Sequence, residues 1–155
     1  AGVRRQLVGV PGPGQSTLLA SALGRLGSER VWVVHGEDGV DEVSTAGVTQ
    51  VIEYREGEGL ERFELDPSDF GLPTASLESL QISGPQEGAD IARRVLAGEP
   101  GPRTDFVIAN AAAGLVIMER APSLREAAVI ARGALEDGSV SRKLSSLAKV
   151  SRGEE

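Results

Sequence analysis

The chain has 155 residues, and its 16 basic and 23 acidic side chains leave a formal net charge of -7. A protein this negative repels phosphates, which argues against non-specific binding of nucleic acid or of an anionic membrane. The lack of cysteine excludes disulfides and thiolate chemistry, and residues 1–10 contain no apolar core long enough for a signal peptide. We therefore expect one cytoplasmic domain that binds neither nucleic acid nor membrane.

The first predicted elements form a strand–helix–strand unit. Residues 6–10 predict a short strand that ends at glycine and proline. A helix is predicted from Ser16 to the stop at Gly27 by apolar residues at helical spacing, namely Leu18, Leu19, Ala22, Leu23 and Leu26. The run VWVV, residues 31–34, then predicts a buried strand. Such a unit is typical of a parallel crossover, so it predicts an α/β sheet.

The rest of the chain predicts a β-hairpin followed by helices. Two strand-like runs in residues 48–65 flank a glycine-containing turn, residues 56–59, and residues 66–76 predict a loop. Helices are predicted at 86–97, at 104–118, from the capping pair Ser123 and Glu126 to about Gly138, and at 141–150. Because residues 104–118 are apolar nearly all round, we expect that helix to be central and buried.

Residues 9–17, GVPGPGQST, have the glycine spacing of a nucleotide-binding phosphate loop, but Gln15 replaces its lysine. Pro11 and Pro13 each remove a backbone N–H that such a loop would offer to phosphates. No apolar strand runs into an aspartate that would hold magnesium. We interpret the segment as a strand-to-helix turn with an ordinary helix cap from Ser16 or Thr17. A degenerate nucleotide-binding domain is the alternative.

Four carboxylates follow the second predicted strand within residues 37–42, and Asp41 and Glu42 are adjacent. Ligands in open α/β sheets gather at the carboxyl ends of strands, and carboxylate oxygens suit magnesium when a substrate phosphate is also bound. On the loop alone a solvated surface is the simpler interpretation, and a metal site is the alternative. His35, the only histidine, has no nucleophile motif to serve, so we interpret it as a hydrogen-bonded structural residue.

Several segments, taken in order, resemble anthranilate phosphoribosyltransferase, a tryptophan-pathway family. They are RRQLVGV, VWVVHGEDGVDEVS, LDPSDFGL, VLAGEPGPRTDFVIANAA and SLREAAVIARGALEDG. The resemblance covers residues 4–149. It implies the C-terminal part of the nucleoside phosphorylase/phosphoribosyltransferase-like α/β domain, with a mostly parallel sheet, a β-hairpin and flanking helices. It also implies a partial domain at residues 1–150 and a charged tail at 151–155.

The resemblance implies transfer of a phosphoribosyl group from phosphoribosyl pyrophosphate to anthranilate, with Mg²⁺ as cofactor. The magnesium-holding Asp-Glu pair of the family falls on Asp41 and Glu42. The family's phosphate loop, its lysine-histidine-glycine-asparagine segment and its substrate-side arginine match nothing in the 155 residues. We therefore assign the chain a metal pair, but no catalytic residue and no other cofactor-binding residue.

Two functions follow from this assignment. The first is the C-terminal portion of a phosphoribosyltransferase, which would have little or no activity alone. Its partner would be an N-terminal half or a second copy of the chain. The alternative is a non-catalytic binding or structural module derived from the same fold, which would be a stable monomer with no dependence on magnesium.

Overall fold

The computed structural model describes residues 2–154, which form a four-stranded sheet with helices on both faces. The strands are β1 (Arg5–Gly9), β2 (Arg30–Gly36), β3 (Thr49–Arg55) and β4 (Gly59–Leu65). The α-helices are α1 (Ser16–Arg25), α2 (Leu77–Leu80), α3 (Pro85–Leu96), α4 (Pro102–Ile117), α5 (Leu124–Glu136) and α6 (Ser139–Ser151). Two 3-10 turns, Pro13–Gln15 and Pro67–Phe70, complete the described elements.

The strands lie side by side in chain order, from β1 to β4. β1 and β2 pair in parallel, whereas β2 with β3 and β3 with β4 pair antiparallel. The α/β class, the hairpin and the flanking helices are therefore confirmed. The pairing is mixed instead of mostly parallel, because residues 37–48 contain no crossover helix to return the chain to the other end of the sheet.

β2 is one of the two interior strands of the sheet, and all seven of its residues are buried. Val31 and Val33 contribute to the core beneath α1, whereas Trp32 and Val34 contribute to the core beneath α4 and α5. Alternate side chains of a strand point to opposite faces, so one apolar run supplies both cores. The loop that leaves β2 consequently starts from the most deeply buried strand of the sheet.

The helix predicted at residues 104–118 is α4, and it is buried on one side only. Ile108 and Ile117 are at most 1% exposed, but Val107 is 40% exposed, and Met118, directly after the helix, is 47% exposed. The prediction of a helix buried all round was wrong for the face turned away from the sheet. An apolar pattern shows that a surface is suited to burial, but it does not show which neighbour covers that surface.

α1, α3, α5 and α6 begin and end close to their predicted limits, whereas the sequence did not predict the short helix α2. The Ser123 hydroxyl accepts a hydrogen bond from the Glu126 backbone N–H at 3.2 Å and so caps α5 as expected. α6 extends to Ser151, one residue past the predicted domain limit, and none of its residues is buried. Within residues 2–154, no helix combines the length and the apolar character that a membrane crossing requires.

Candidate metal site

Asp41 and Glu42 lie in the loop after β2, at the edge of the sheet where β1 also ends. Because β1 and β2 run parallel, their carboxyl ends meet at this edge. Asp41 and Glu42 are exposed, whereas the next residue, Val43, is completely buried. The loop thus presents two adjacent carboxylates to solvent beside a buried anchor.

The four acidic residues of this loop have different environments. Asp38 closes the loop, because its carboxylate accepts hydrogen bonds from the Val40 backbone N–H at 3.2 Å and from the Ser44 hydroxyl. Glu37 accepts a hydrogen bond from the side-chain amide of Gln50 at 3.3 Å. Across residues 2–154, neither carboxylate of the Asp-Glu pair has a hydrogen bond or an ion pair. Asp38 and Glu37 therefore have hydrogen-bond partners within the protein, and only the bonds of Asp38 close the loop, whereas Asp41 and Glu42 remain available to a ligand.

Two glycines allow the loop to pack closely against the sheet. A Cβ atom on Gly9, the last residue of β1, would overlap the backbone carbonyl of Asp41. A Cβ atom on Gly36, the last residue of β2, would overlap the carboxylate of Asp38. Glycine has no side chain, so it permits both close approaches. Gly9 is the first glycine of the phosphate-loop-like segment, and its structural role is contact with the acidic loop.

Asn110 of α4 holds the other side of the acidic loop. Its Oδ1 atom accepts a hydrogen bond from the Val43 N–H, and its Nδ2 group donates to the Val43 carbonyl, both at 2.9 Å. Nδ2 also donates to the Phe106 carbonyl within α4 at 3.0 Å. No role for Asn110 was predicted from the sequence. The available signal was a single amide within an otherwise apolar helical segment.

The electrostatics of the pair reflect its lack of a cationic partner. Partial loss of solvent raises the pKa of the Glu42 carboxyl, and the negative charge of Asp41 raises it further. A bound cation would act in the opposite direction, because it favours the ionised form of both carboxylates. The site as built therefore has unbalanced negative charge at a solvent-accessible position.

The pair fits part of a magnesium site and not a complete one. In the described part of the chain, no three His, Cys, Asp or Glu side chains are grouped so that they could hold a metal ion. Magnesium usually binds proteins through one or two carboxylates and takes its other ligands from water and substrate phosphates. Asp41 and Glu42 match that requirement, since they would leave most of the coordination sphere to oxygen atoms from outside the protein.

One residue and one segment singled out in the sequence, His35 and residues 9–17, have structural roles. His35 is 9% exposed, and its Nδ1 atom lies 3.0 Å from the Val10 carbonyl, which confirms the structural interpretation. The phosphate-loop-like segment forms a 3-10 turn that leads directly into α1. The predicted cap was wrong, because Gln15 occupies the N-cap position without a side-chain hydrogen bond. Ser16 is instead the first helical residue, and its backbone N–H donates to the Pro13 carbonyl.

Comparison with known proteins gives the same family for nearly the whole chain. Residues 1–141 match the glycosyl transferase family, a/b domain. Anthranilate phosphoribosyltransferase from Rhodopseudomonas palustris (strain TIE-1) is 42% identical over 151 residues, which are 97% of this chain and 44% of that protein. The Azorhizobium caulinodans protein of the same name is 42% identical over 96% of this chain and 43% of its own length.

Solved structures agree with the sequence relatives. The anthranilate phosphoribosyltransferase of Thermus thermophilus has a TM-score of 0.78 and 41% identity, covering 88% of this chain and 40% of that one. The Saccharomyces cerevisiae enzyme in complex with PRPP and Mg has a TM-score of 0.81 and 29% identity, covering 91% of this chain and 41% of that one. The chain thus spans less than half the length of these relatives. It belongs to the anthranilate phosphoribosyltransferase family and corresponds to the C-terminal α/β portion of its members.

Proposed function

We propose that this chain supplies the magnesium-holding edge of an anthranilate phosphoribosyltransferase active site. The observation that carries the proposal is the unpaired Asp41–Glu42 pair at the carboxyl ends of two parallel strands. It occurs in a chain 42% identical to members of that family. The solved structure of the Saccharomyces cerevisiae relative in complex with PRPP and Mg supports the choice of cation and substrate.

The proposed reaction transfers a phosphoribosyl group to the amino group of anthranilate, and pyrophosphate leaves from the sugar. Mg²⁺, when bound, supplies positive charge that stabilises the departing pyrophosphate. The task of Asp41 and Glu42 is to bind that charge at a fixed place on the sheet edge. Neither carboxylate is assigned a proton transfer, because the leaving group departs as an anion that needs electrostatic stabilisation.

The remaining tasks of the reaction require residues from outside the 155. The chain spans about 44% of the length of the first curated relative. No segment of it resembles the family's phosphate loop or its lysine-histidine-glycine-asparagine segment. Rapid transfer requires both reactants to be held together in a reactive orientation. We therefore expect the chain alone to have little or no activity.

The surface of the chain indicates where the rest of such an enzyme would pack. β1 is an outermost strand of the sheet and pairs only with β2. The backbone groups along its other side are therefore not paired within residues 2–154. An open strand edge is a ready template for another strand. Val107 of α4 and Met118, the residue directly after that helix, add exposed apolar surface. We assign these surfaces to contact with the N-terminal portion of an anthranilate phosphoribosyltransferase.

The experiment follows anthranilate consumption with phosphoribosyl pyrophosphate and Mg²⁺. The chain is assayed alone and then after mixing with the N-terminal portion of the Rhodopseudomonas palustris relative, with assembly checked by size-exclusion chromatography. We expect activity only in the mixture and loss of that activity when Asp41→Ala and Glu42→Ala are combined. Glu37→Ala is the matched control, since it removes an exposed carboxylate of the same loop.

Two outcomes would contradict the proposal. Turnover by the chain alone would show that the catalytic residues lie in this portion after all. An assembled but inactive mixture would favour the non-catalytic module. If the two pieces do not assemble, the same assay is made on a single polypeptide that joins the relative's N-terminal portion to this chain. A second copy of this chain as the partner would appear as a dimer in chromatography of the chain alone.

A further inference from the structure

We propose that Asn110 is a positioning residue, which orients the Asp41–Glu42 pair by holding the backbone immediately after it. The inference rests on the proposed function, because it concerns the same magnesium site. In this proposal a side chain of the core helix α4 fixes the backbone conformation of the exposed acidic loop. Asn110 itself would not touch the metal.

The Asn110 side chain both donates a hydrogen bond to the loop and accepts one from it. One side chain uses its acceptor for the Val43 N–H and its donor for the Val43 carbonyl, each at 2.9 Å. A second donor bond from the same amide group to the Phe106 carbonyl at 3.0 Å fixes the orientation of the side chain on the helix. An amide is the side-chain group that offers a neutral donor and acceptor on one planar unit. Aspartate or leucine at this position could not make all three bonds.

Water cannot replace the hydrogen bonds that Asn110 makes to the Val43 backbone, because Val43 is 0% exposed. Loss of the Asn110 amide would leave a buried N–H and a buried carbonyl without those bonds, an unfavourable state that the loop could relieve only by moving. The pair lies directly before Val43, so a movement of Val43 changes the direction of both carboxylates. This links the side chain on α4 to the ligand geometry.

The loop is restrained at a second point, on the side of β1. The Asp41 carbonyl packs against Gly9 so closely that a Cβ atom would overlap it. The two carboxylates are therefore located between a steric contact at Asp41 and a hydrogen-bonded clamp at Val43. Two fixed points limit the rotation of the segment between them, whereas one would act only as a hinge.

Residues that orient metal ligands without touching the metal typically change affinity about 10-fold to 100-fold when they are removed. A purely structural role for Asn110 would instead lower stability and leave the affinity of the folded chain unchanged. Thr104→Val distinguishes the two roles. Thr104 is a buried residue of the same helix, and its hydroxyl donates to the Glu99 carbonyl, which is not part of the acidic loop.

The test measures Mn²⁺ affinity by electron paramagnetic resonance, using Mn²⁺ alone as the probe, together with hydrogen exchange of the Val43 amide. Wild type, Asn110→Ala and Thr104→Val are compared under conditions in which each chain is fully folded. We expect Asn110→Ala to weaken Mn²⁺ binding at least about 10-fold and to speed Val43 exchange. We expect Thr104→Val to bind Mn²⁺ as wild type does.

Equal Mn²⁺ affinities in wild type and Asn110→Ala would overturn this inference and leave the metal site intact. Equal losses in Asn110→Ala and Thr104→Val would also overturn it, because they would show a general effect of α4 stability. A wild-type chain that binds no Mn²⁺ would overturn the proposed metal site and the inference together. The failure of the inference alone is thus distinct from the failure of the proposed function.

Discussion

Two glutamates near opposite ends of β2 have opposite environments. Glu53 of β3 lies opposite Trp32 near the start of β2, and its Oε1 atom accepts hydrogen bonds from Arg30 at 2.6 Å and from the Trp32 indole at 2.8 Å. Burial acts to raise the pKa of Glu53, but the bonds from Trp32 and Arg30 outweigh it and the pKa is lowered. Glu42, after the end of β2, is exposed and has a raised pKa.

A carboxylate with buried hydrogen-bond and cationic partners stabilises the fold, whereas a carboxylate without such partners remains available to a ligand. The charge of Glu53 is matched by a buried arginine whose Nη1 group also donates to the Val116 carbonyl of α4 at 2.8 Å. That cluster joins β2, β3 and the helix layer and leaves little capacity for a ligand. The Asp41–Glu42 pair has no such partner, so its unbalanced charge can be neutralised by a cation from outside.

The largest effect is expected from Glu53→Gln, which removes the charge that balances buried Arg30. Removing one partner of a buried ion pair typically costs about 3–5 kcal/mol of unfolding free energy, because an uncompensated charge remains. The measurement is urea unfolding at pH 7. The control is Glu64→Gln, an exposed glutamate of β4, which should change the unfolding free energy by less than about 0.5 kcal/mol. A cost for Glu53→Gln as small as the control's would show that the cluster is not structural.

The pH dependence of the same variant tests the direction of the Glu53 shift. Because the folded-state pKa of Glu53 is lowered, its contribution to stability is present above the unfolded pKa of about 4.3 and is lost as the pH falls through the folded pKa. The difference in unfolding free energy between wild type and Glu53→Gln should therefore shrink as the pH is lowered from 7 towards 3. A difference that stays constant over this range would contradict the assignment.

A smaller effect is expected from Gly9→Ala, which disturbs the acidic loop without changing its charge. The added Cβ atom would overlap the Asp41 carbonyl, so the loop or β1 has to shift. Overpacking of this kind typically costs about 1–3 kcal/mol, measured as the unfolding free energy in urea. Gly12→Ala is the matched control in the same connection, because a Cβ atom there meets nothing within 4 Å and its φ of -161° is extended backbone. Equal stability of the two variants would exclude the close contact.

The smallest effect on stability is expected from Glu42→Gln. The raised folded-state pKa of Glu42 means that its ionised form slightly destabilises the chain at pH 7, since this stability contribution is lost as pH rises through the folded pKa. The variant should therefore be as stable as wild type or more stable, by less than about 0.5 kcal/mol. Added Mg²⁺ should raise the melting temperature of wild type and not that of the variant. An equal response to Mg²⁺ would remove Glu42 from the site.

The order of the strands and of all the α-helices except α2 could be predicted from local patterns. The apolar spacing of α1, the VWVV run of β2, the glycines between β3 and β4 and the serine cap of α5 all involve residues a few positions apart. Such signals are contained in the backbone preferences and side-chain periodicities of short segments. The acidic loop was also recognisable, because four carboxylates after a buried strand are adjacent in the sequence. The family resemblance then favoured Asp41 and Glu42 among them.

The remaining features depend on residues that are distant in the sequence. The clamp on the acidic loop joins Val43 and Asn110, which are 67 positions apart. The contact of Gly9 with the Asp41 carbonyl, the antiparallel return of β3 and the exposed side of α4 likewise depend on which surfaces meet. Local preference specifies how a segment folds and which of its faces is apolar. The partner of that face, and the charge that balances a carboxylate, are settled by packing between segments, because burial and hydrogen bonding act on neighbours in space.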